Sequence, residues 1–197
     1  GVIVCAGHTA ADYAATRAGL DAGVRGFTHL YNAMTPIAGR EPGVVGAALE
    51  DQGSWCGIIV DGVHVHPASL RVALAAKPRG KLFLVTDAMP MVGAGSPSFE
   101  LYGETITAVD GVVRNAAGAL AGSALDMATA VRNCVRLLGL PLEEAARMAA
   151  TYPARFLRID GERGRIAPGL AADLVLLDAA LQVRATWIGG DMERHAA

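Results

Sequence analysis

The chain has 197 residues, 52% of them apolar, enough for one domain with a sizeable core or one domain and a fraction. Its formal net charge is -2 and no basic run occurs, so a nucleic-acid or membrane-surface role has no electrostatic support. Three cysteines (Cys5, Cys56, Cys134) without C-x-x-C spacing read as small buried apolar residues of a reducing, cytoplasmic protein, not as a disulfide frame or zinc knuckle. No apolar run is long enough for a spanning helix. The chain opens on a strand, with neither an initiator Met nor a signal pattern, as expected where an upstream part is missing.

In chain order, Gly1 to Gly7 reads as a short apolar strand ending at His8. Thr9 to Asp12 is a capping-box-like start for an Ala-rich helix over Tyr13 to Asp21, with Gly23 as its stop. A second strand over Val24 to Leu30 carries Thr28-His29 at its tip, and Pro36 and Gly39 keep the next residues in a loop. A helix over Val44 to Asp51, a strand over Trp55 to Val60, a helix over Ala68 to Lys77 and a strand over Lys81 to Val85 follow, the last ending at Thr86-Asp87. Strands separated by helices of this size imply parallel pairing with right-handed crossovers, in a half-barrel or an open doubly wound sheet.

Beyond Pro90 the pattern changes. Phe99 to Thr107 and Gly111 to Arg114 alternate like a hairpin about Val109-Asp110-Gly111. Helices are predicted over Ser123 to Leu138 and from Pro141 to about Ala150. The tail from Gly164 reads as strands at Arg165-Ile166, Ala172 to Asp178 and Val183 to Ile188, closed by Gly189-Gly190.

Histidines at equivalent strand tips suit a divalent metal such as zinc, so metal ligation by His8 and His29 outweighs a structural use. Asp87 follows an apolar strand and reads either as a helix cap or as a general acid/base beside a metal. His64 and His66 form His-x-His, but Asp61-Gly62 and Pro67 favour a loop, which leaves His64 in the site and His66 outside it. Asn32 and Arg40, on the loop after the second strand, could hold an anion such as phosphate. There is no P-loop or dinucleotide fingerprint, and Cys5 and Cys56 lack catalytic partners. His195, near the chain end, is expected in solvent.

His8, Thr28-His29-Leu30-Tyr31-Asn32-Ala33-Met34, Asp61-Gly62-x-His64-x-x-Pro67, Thr86-Asp87-Ala88 and Leu120-Ala121-Gly122-Ser123 occur in order. Together they resemble the N-acetylglucosamine-6-phosphate deacetylases of the amidohydrolase superfamily. Gly169 to Val175 resembles the strand by which such chains return to a small β domain. The resemblance implies an α/β fold: residues 1–163 as the second half of a (β/α)8 barrel (strands 5 to 8, a hairpin insertion and C-terminal helices), and 164–197 as part of a small β-sandwich domain. It implies His8 and His29 as metal ligands and Asp87 as catalytic acid/base, with His64 on substrate and helping to polarise the amide carbonyl. Asn32 and the Ala33 amide would bind the sugar phosphate. Arg40 would reach a neighbouring subunit's substrate in a homodimer, and Leu120, Ala121 and Gly122 would line the acetyl side.

The implied cofactor is one or two divalent ions, zinc first, with iron, cobalt, manganese or cadmium as other candidates. The family's upstream glutamate, and in many members a His-x-His pair, have no counterpart here: Glu41, Glu50 and Glu100 fall in loop or helix contexts after the His strands. This chain alone is therefore expected to be inactive. The rival readings are an N-acetylgalactosamine-6-phosphate deacetylase, a cyclic-amide hydrolase, and a fragment serving only as a binding or structural module.

Overall fold

A computed structural model describes residues 1–94, 96–101, 103–109, 112–114 and 118–195. The central element is a parallel sheet in the order β1-β2-β3-β4, formed by Cys5–Ala6, Gly26–Phe27, Trp55–Ile58 and Leu82–Leu84. Helices α1 (Tyr13–Asp21), α2 (Gly43–Glu50) and α3 (Pro67–Ala76) make the crossovers. The strands are shorter than the sequence predicts: β1 lacks its first four residues, and beyond the strand ends only single backbone bonds, such as Leu30 N–H to the Gly57 carbonyl at 2.8 Å, still reach the neighbouring strand. The first helix starts where expected, but its cap is Asp12, whose carboxylate accepts the Ala15 N–H at 2.8 Å. His66 caps α3 through its ring, accepting the Ala68 N–H at 3.1 Å.

The predicted hairpin is part of a larger antiparallel sheet, β5 (Ser98–Leu101), β6 (Glu104–Val109), β7 (Val112–Arg114) and β8 (Leu120–Ser123). Its first segment is two strands, since the chain turns through Gly103 at positive φ. Asp110 and Gly111 of the expected turn lie outside the described residues. Ser123 ends a strand and does not begin a helix. Helix α4 (Met127–Leu138) starts later because Asp126 caps it, accepting the Thr129 N–H at 2.8 Å.

The next helix runs further than expected: α5 (Leu142–Ala146), a π-helical turn over Arg147–Thr151 and α6 (Tyr152–Leu157). Tyr152 and Pro153 sit where a new helix can start, and the wide turn accommodates the ring that would clash within a regular α-helix. The tail forms an antiparallel sheet in the order β11-β10-β9, from Leu174–Leu177, Val183–Ile188 and Asp191–Arg194. Arg165-Ile166 is not a strand, and Ile166 is exposed. Gly189-Gly190 ends β10 as expected and turns the chain back into β11. No helix among the described residues is long and apolar enough to cross a membrane.

One core lies between the parallel sheet and its helices, with Phe27, Ile58, Val44, Leu70, Cys134 and Met148 wholly enclosed. Cys56 and Cys134 are buried as expected, and burial pushes both thiols up to about 12. Cys5 departs from expectation and is exposed, because β1 is the edge strand of its sheet, with no strand on its outer side among the described residues. Gly26 is dictated by packing: a Cβ there would meet the Phe156 ring at 3.1 Å and the Trp55 carbonyl at 3.2 Å. The missing side chain lets α6 settle on the sheet.

Lys77, only 4% exposed, fastens the end of α2. Its ammonium donates to the Ala48 carbonyl at 3.0 Å, to Ser54 Oγ at 3.2 Å and to the Asp51 carbonyl, satisfying acceptors that a helix C-terminus leaves open. Lys77→Met should strand these acceptors and destabilise the fold by about 1–3 kcal/mol. Urea denaturation should show a lowered midpoint at unchanged slope.

Candidate active site

Register fixes the first pair of site residues. Cys5 pairs with Gly26 and Ala6 with Phe27, so two residues further on His8 and His29 stand level on adjacent strand tips. Their Nε2 atoms are 2.8 Å apart and the rings meet edge to face. The Thr9 N–H donates to the Ala33 carbonyl at 3.0 Å, which ties the loops beyond the two strands together.

The backbone at this rim is strained. Among the described non-glycine residues, those with positive φ are His8, His29, Tyr31, Ala33, Asp87, Arg158 and Leu181, and the first five belong to the rim. Each such residue costs about 1–3 kcal/mol and persists only where its surroundings hold it. His29 is held by its carbonyl, which accepts the Asn32 N–H at 3.0 Å and the Asn32 Nδ2 at 3.1 Å.

The imidazole pair fits a divalent metal in part. Two nitrogens about 2.0–2.1 Å from a shared ion would lie roughly 2.9 Å apart at a right angle and roughly 3.3 Å apart in a tetrahedron. The observed 2.8 Å is near the first value, and a slight opening reaches the second. His29 is 7% exposed and its buried Nδ1 has no hydrogen-bond partner. No group of three or more His, Cys, Asp or Glu among the described residues could hold a metal. This chain thus offers two ligands of a set that needs more.

Asp87 is exposed at the tip of β4 and hydrogen-bonds neither ring. The helix-cap alternative for Asp87 is not observed, since no helix starts directly after it. Its carbonyl accepts the Ser123 N–H at 2.8 Å, Ser123 returns its own carbonyl to the Met89 N–H at 2.9 Å, and the Ser123 hydroxyl donates to Thr86. The end of β8 is thereby sewn to the tip of β4, which brings Gly122 against the Asp87 carbonyl, while Ala121 packs on the second core of Met91, Ile106 and Val113 and Leu120 is exposed. Gly122 has φ +80 and its position allows no side chain, since a Cβ would run into Met89 and the Asp87 carbonyl.

Asn32 spends both side-chain N–H groups on its own loop, donating to the carbonyls of His29 and Leu30 at 3.1 and 3.3 Å. An anion could use this amide only in exchange for one of those bonds. Ala33 is exposed beside it. Arg40 is exposed on the loop before α2 and makes no ion pair among the described residues. His195 is exposed, with its Nε2 3.1 Å from Thr186 Oγ1.

His64 lies in the loop after β3 with its Nδ1 2.5 Å from Asp61 Oδ2. In the sequence Asp61 reads as a loop residue within the Asp61-Gly62-x-His64-x-x-Pro67 block, and an Asp three positions before a His in a post-strand turn is a readable signal for such a pair. Burial raises the Asp61 carboxyl, but the His64 ring and the amides of Val63 and His64 outweigh it, so it stays below the usual carboxylate range. A depressed carboxyl stabilises the fold above its unfolded pKa of about 3.9, and the contribution is lost as pH falls through the folded value. Urea midpoints of the wild type and Asp61→Asn should therefore differ at neutral pH, and begin to converge only as pH falls below about 3.9 and on through the lower folded value.

Residues 1–192 match the amidohydrolase family. The chain is 44% identical over 191 residues to an N-acetylgalactosamine-6-phosphate deacetylase of Escherichia coli O157:H7, covering 97% of this chain and 50% of that one. It is 39% identical over 199 residues to the N-acetylglucosamine-6-phosphate deacetylase of Bos taurus, covering 98% and 48%. The crystal structure of N-acetylglucosamine-6-phosphate deacetylase from Pasteurella multocida superposes with a TM-score of 0.94 at 38% identity, over 99% of this chain and 51% of that one. The chain thus spans about half the length of these relatives. With a family match over nearly all its residues and the same fold as a solved member, the chain belongs to the amidohydrolase family.

Proposed function

We propose that the protein carrying this sequence hydrolyses the acetamido group of N-acetylglucosamine 6-phosphate, releasing acetate and glucosamine 6-phosphate. The observation that carries this reading is the 2.8 Å approach of the His8 and His29 Nε2 atoms on neighbouring parallel strand tips. It is supported by relatives that are deacetylases of phosphorylated N-acetylhexosamines. His8 and His29 would hold a divalent metal, zinc first, and the remaining donors would come from outside this chain. Such an ion supplies Lewis-acid activation of water and of the acetyl carbonyl.

Asp87 takes the proton from the attacking water on a carboxylate oxygen and delivers it to the departing nitrogen. Gly122, set against the Asp87 carbonyl, would line the acetyl side together with Leu120 and Ala121 of the same strand. The Ala33 N–H and Asn32 bind the phosphate, Asn32 by exchanging one of its loop bonds. Arg40, exposed and without an ion pair among the described residues, reaches the phosphate in a neighbouring subunit of a homodimer. His64 contacts the sugar.

In this reading residues 1–163 are the second half of an eight-stranded barrel, and 164–197 belong to a small β domain. The open edge of β1, with Val2 and Val4 exposed at 92% and 52%, is where upstream strands would add. A phosphorylated sugar substrate places the enzyme in the cytoplasm.

A second reading, deacetylation of the galactosamine epimer, is favoured by 44% identity to an enzyme of that name against 39% for the Bos taurus glucosamine enzyme. Acetate release from the two epimers by the full-length protein separates them. Higher kcat/KM is expected with the glucosamine epimer, the reverse order assigns the galactosamine one, and no release from either removes the deacetylase reading. Asp87→Asn should lower kcat by about 10²–10⁴-fold while substrate affinity is kept. A variant turning over at the parental rate would take Asp87 out of the mechanism.

A further inference from the structure

Asp61 has no part in the reaction as drawn, yet its side chain is nearly as enclosed as that of His64, at 12% against 6% exposed. Its Oδ1 accepts the N–H groups of Val63 at 2.8 Å and His64 at 2.9 Å, closing the turn after β3. Its Oδ2 faces His64 Nδ1 at 2.5 Å. An ionised carboxylate only accepts hydrogen bonds, so the proton of this contact belongs to Nδ1. A neutral imidazole has one N–H, and with that proton on Nδ1 the Nε2 carries a lone pair. No protein group among the described residues bonds that nitrogen.

We infer that Asp61 is a positioning residue: it holds His64 as the Nδ1–H tautomer and presents Nε2 as a hydrogen-bond acceptor for a hydroxyl of the substrate. The identity of that hydroxyl, on a hexose phosphate, rests on the deacetylase reading, whereas the tautomer stands without it. The polarity is opposite to what carbonyl polarisation requires. A neutral ring held this way cannot donate to the acetyl oxygen, and His64 could do so only with a second proton.

Asp61→Asn distinguishes the cases while keeping the turn. The amide oxygen can still accept from Val63 and His64, but its NH2 then faces Nδ1, which must become the acceptor, and the ring proton moves to Nε2. The probe is the 15N signature of the His64 ring in the labelled full-length protein, at a pH where the ring is neutral, assigned by its disappearance in His64→Gln. The wild type is expected to show a protonated Nδ1 and a bare Nε2, and Asp61→Asn the two exchanged. In steady-state assays with N-acetylglucosamine 6-phosphate, Asp61→Asn should raise KM by about tenfold with a smaller change in kcat, as for loss of one ground-state hydrogen bond. A wild-type ring protonated on Nε2, or a tautomer untouched by the substitution, would overturn the assignment. The wild-type spectrum alone decides the tautomer if the variant does not fold. Exchanged tautomers in a protein that deacetylates neither epimer would uphold the role of Asp61 and sink the deacetylase reading.

Discussion

The site depends on two rungs of parallel pairing, Cys5 with Gly26 and Ala6 with Phe27. Side chains alternate faces along a strand, so a slip of one residue would send one imidazole to the far side of the sheet. With the register kept, both rings arrive at the same height and turn their Nε2 atoms toward each other. So short a ladder is weak by itself. It is extended by the Arg25 N–H donating to the Val4 carbonyl and the Thr28 N–H to the Ala6 carbonyl, and the loops beyond it are tied by the Thr9 N–H on the Ala33 carbonyl.

The fold places strain where chemistry is expected and rigidity behind it. His8, His29 and Asp87 each leave their strand at positive φ, a conformation costly for any residue with a Cβ. Behind them the sheet is braced on one face by α6, whose Phe156 stacks on Phe83 and packs against Trp55 over the bare Gly26. The antiparallel sheet contributes in a different way. Its last strand ends at Ser123, and the bonds from Ser123 to Thr86, Asp87 and Met89 anchor the rim around the carboxylate. Asp61 does for His64 what Ser123 does for the Asp87 backbone: a polar group one step away sets the orientation of the residue in front.

Much of the organisation was legible residue by residue. Alternating strand and helix segments, Ala-rich helices ending at Gly or Asp, and His or Asp at successive strand ends follow from short-range chemistry, and the parallel sheet bears them out. Short-range reading failed where distant chain decides. Ser123 looks like a helix start until β7 pairs with β8. The segment from Phe99 to Thr107 looks like one strand until Gly103 turns it. Cys5 looks like core, but a strand is buried only if both neighbours are present, and β1 has one.

The sequence by itself determined which residue types reach the rim and the family to which they belong, because both are written in local order and spacing. Tertiary structure alone decided that His8 meets His29, that Asn32 is committed to its own loop, and that Asp61 grips His64. Those contacts depend on register and on loop closure across distant or folded-back backbone, to within a few tenths of an ångström, and no periodicity along the chain encodes that.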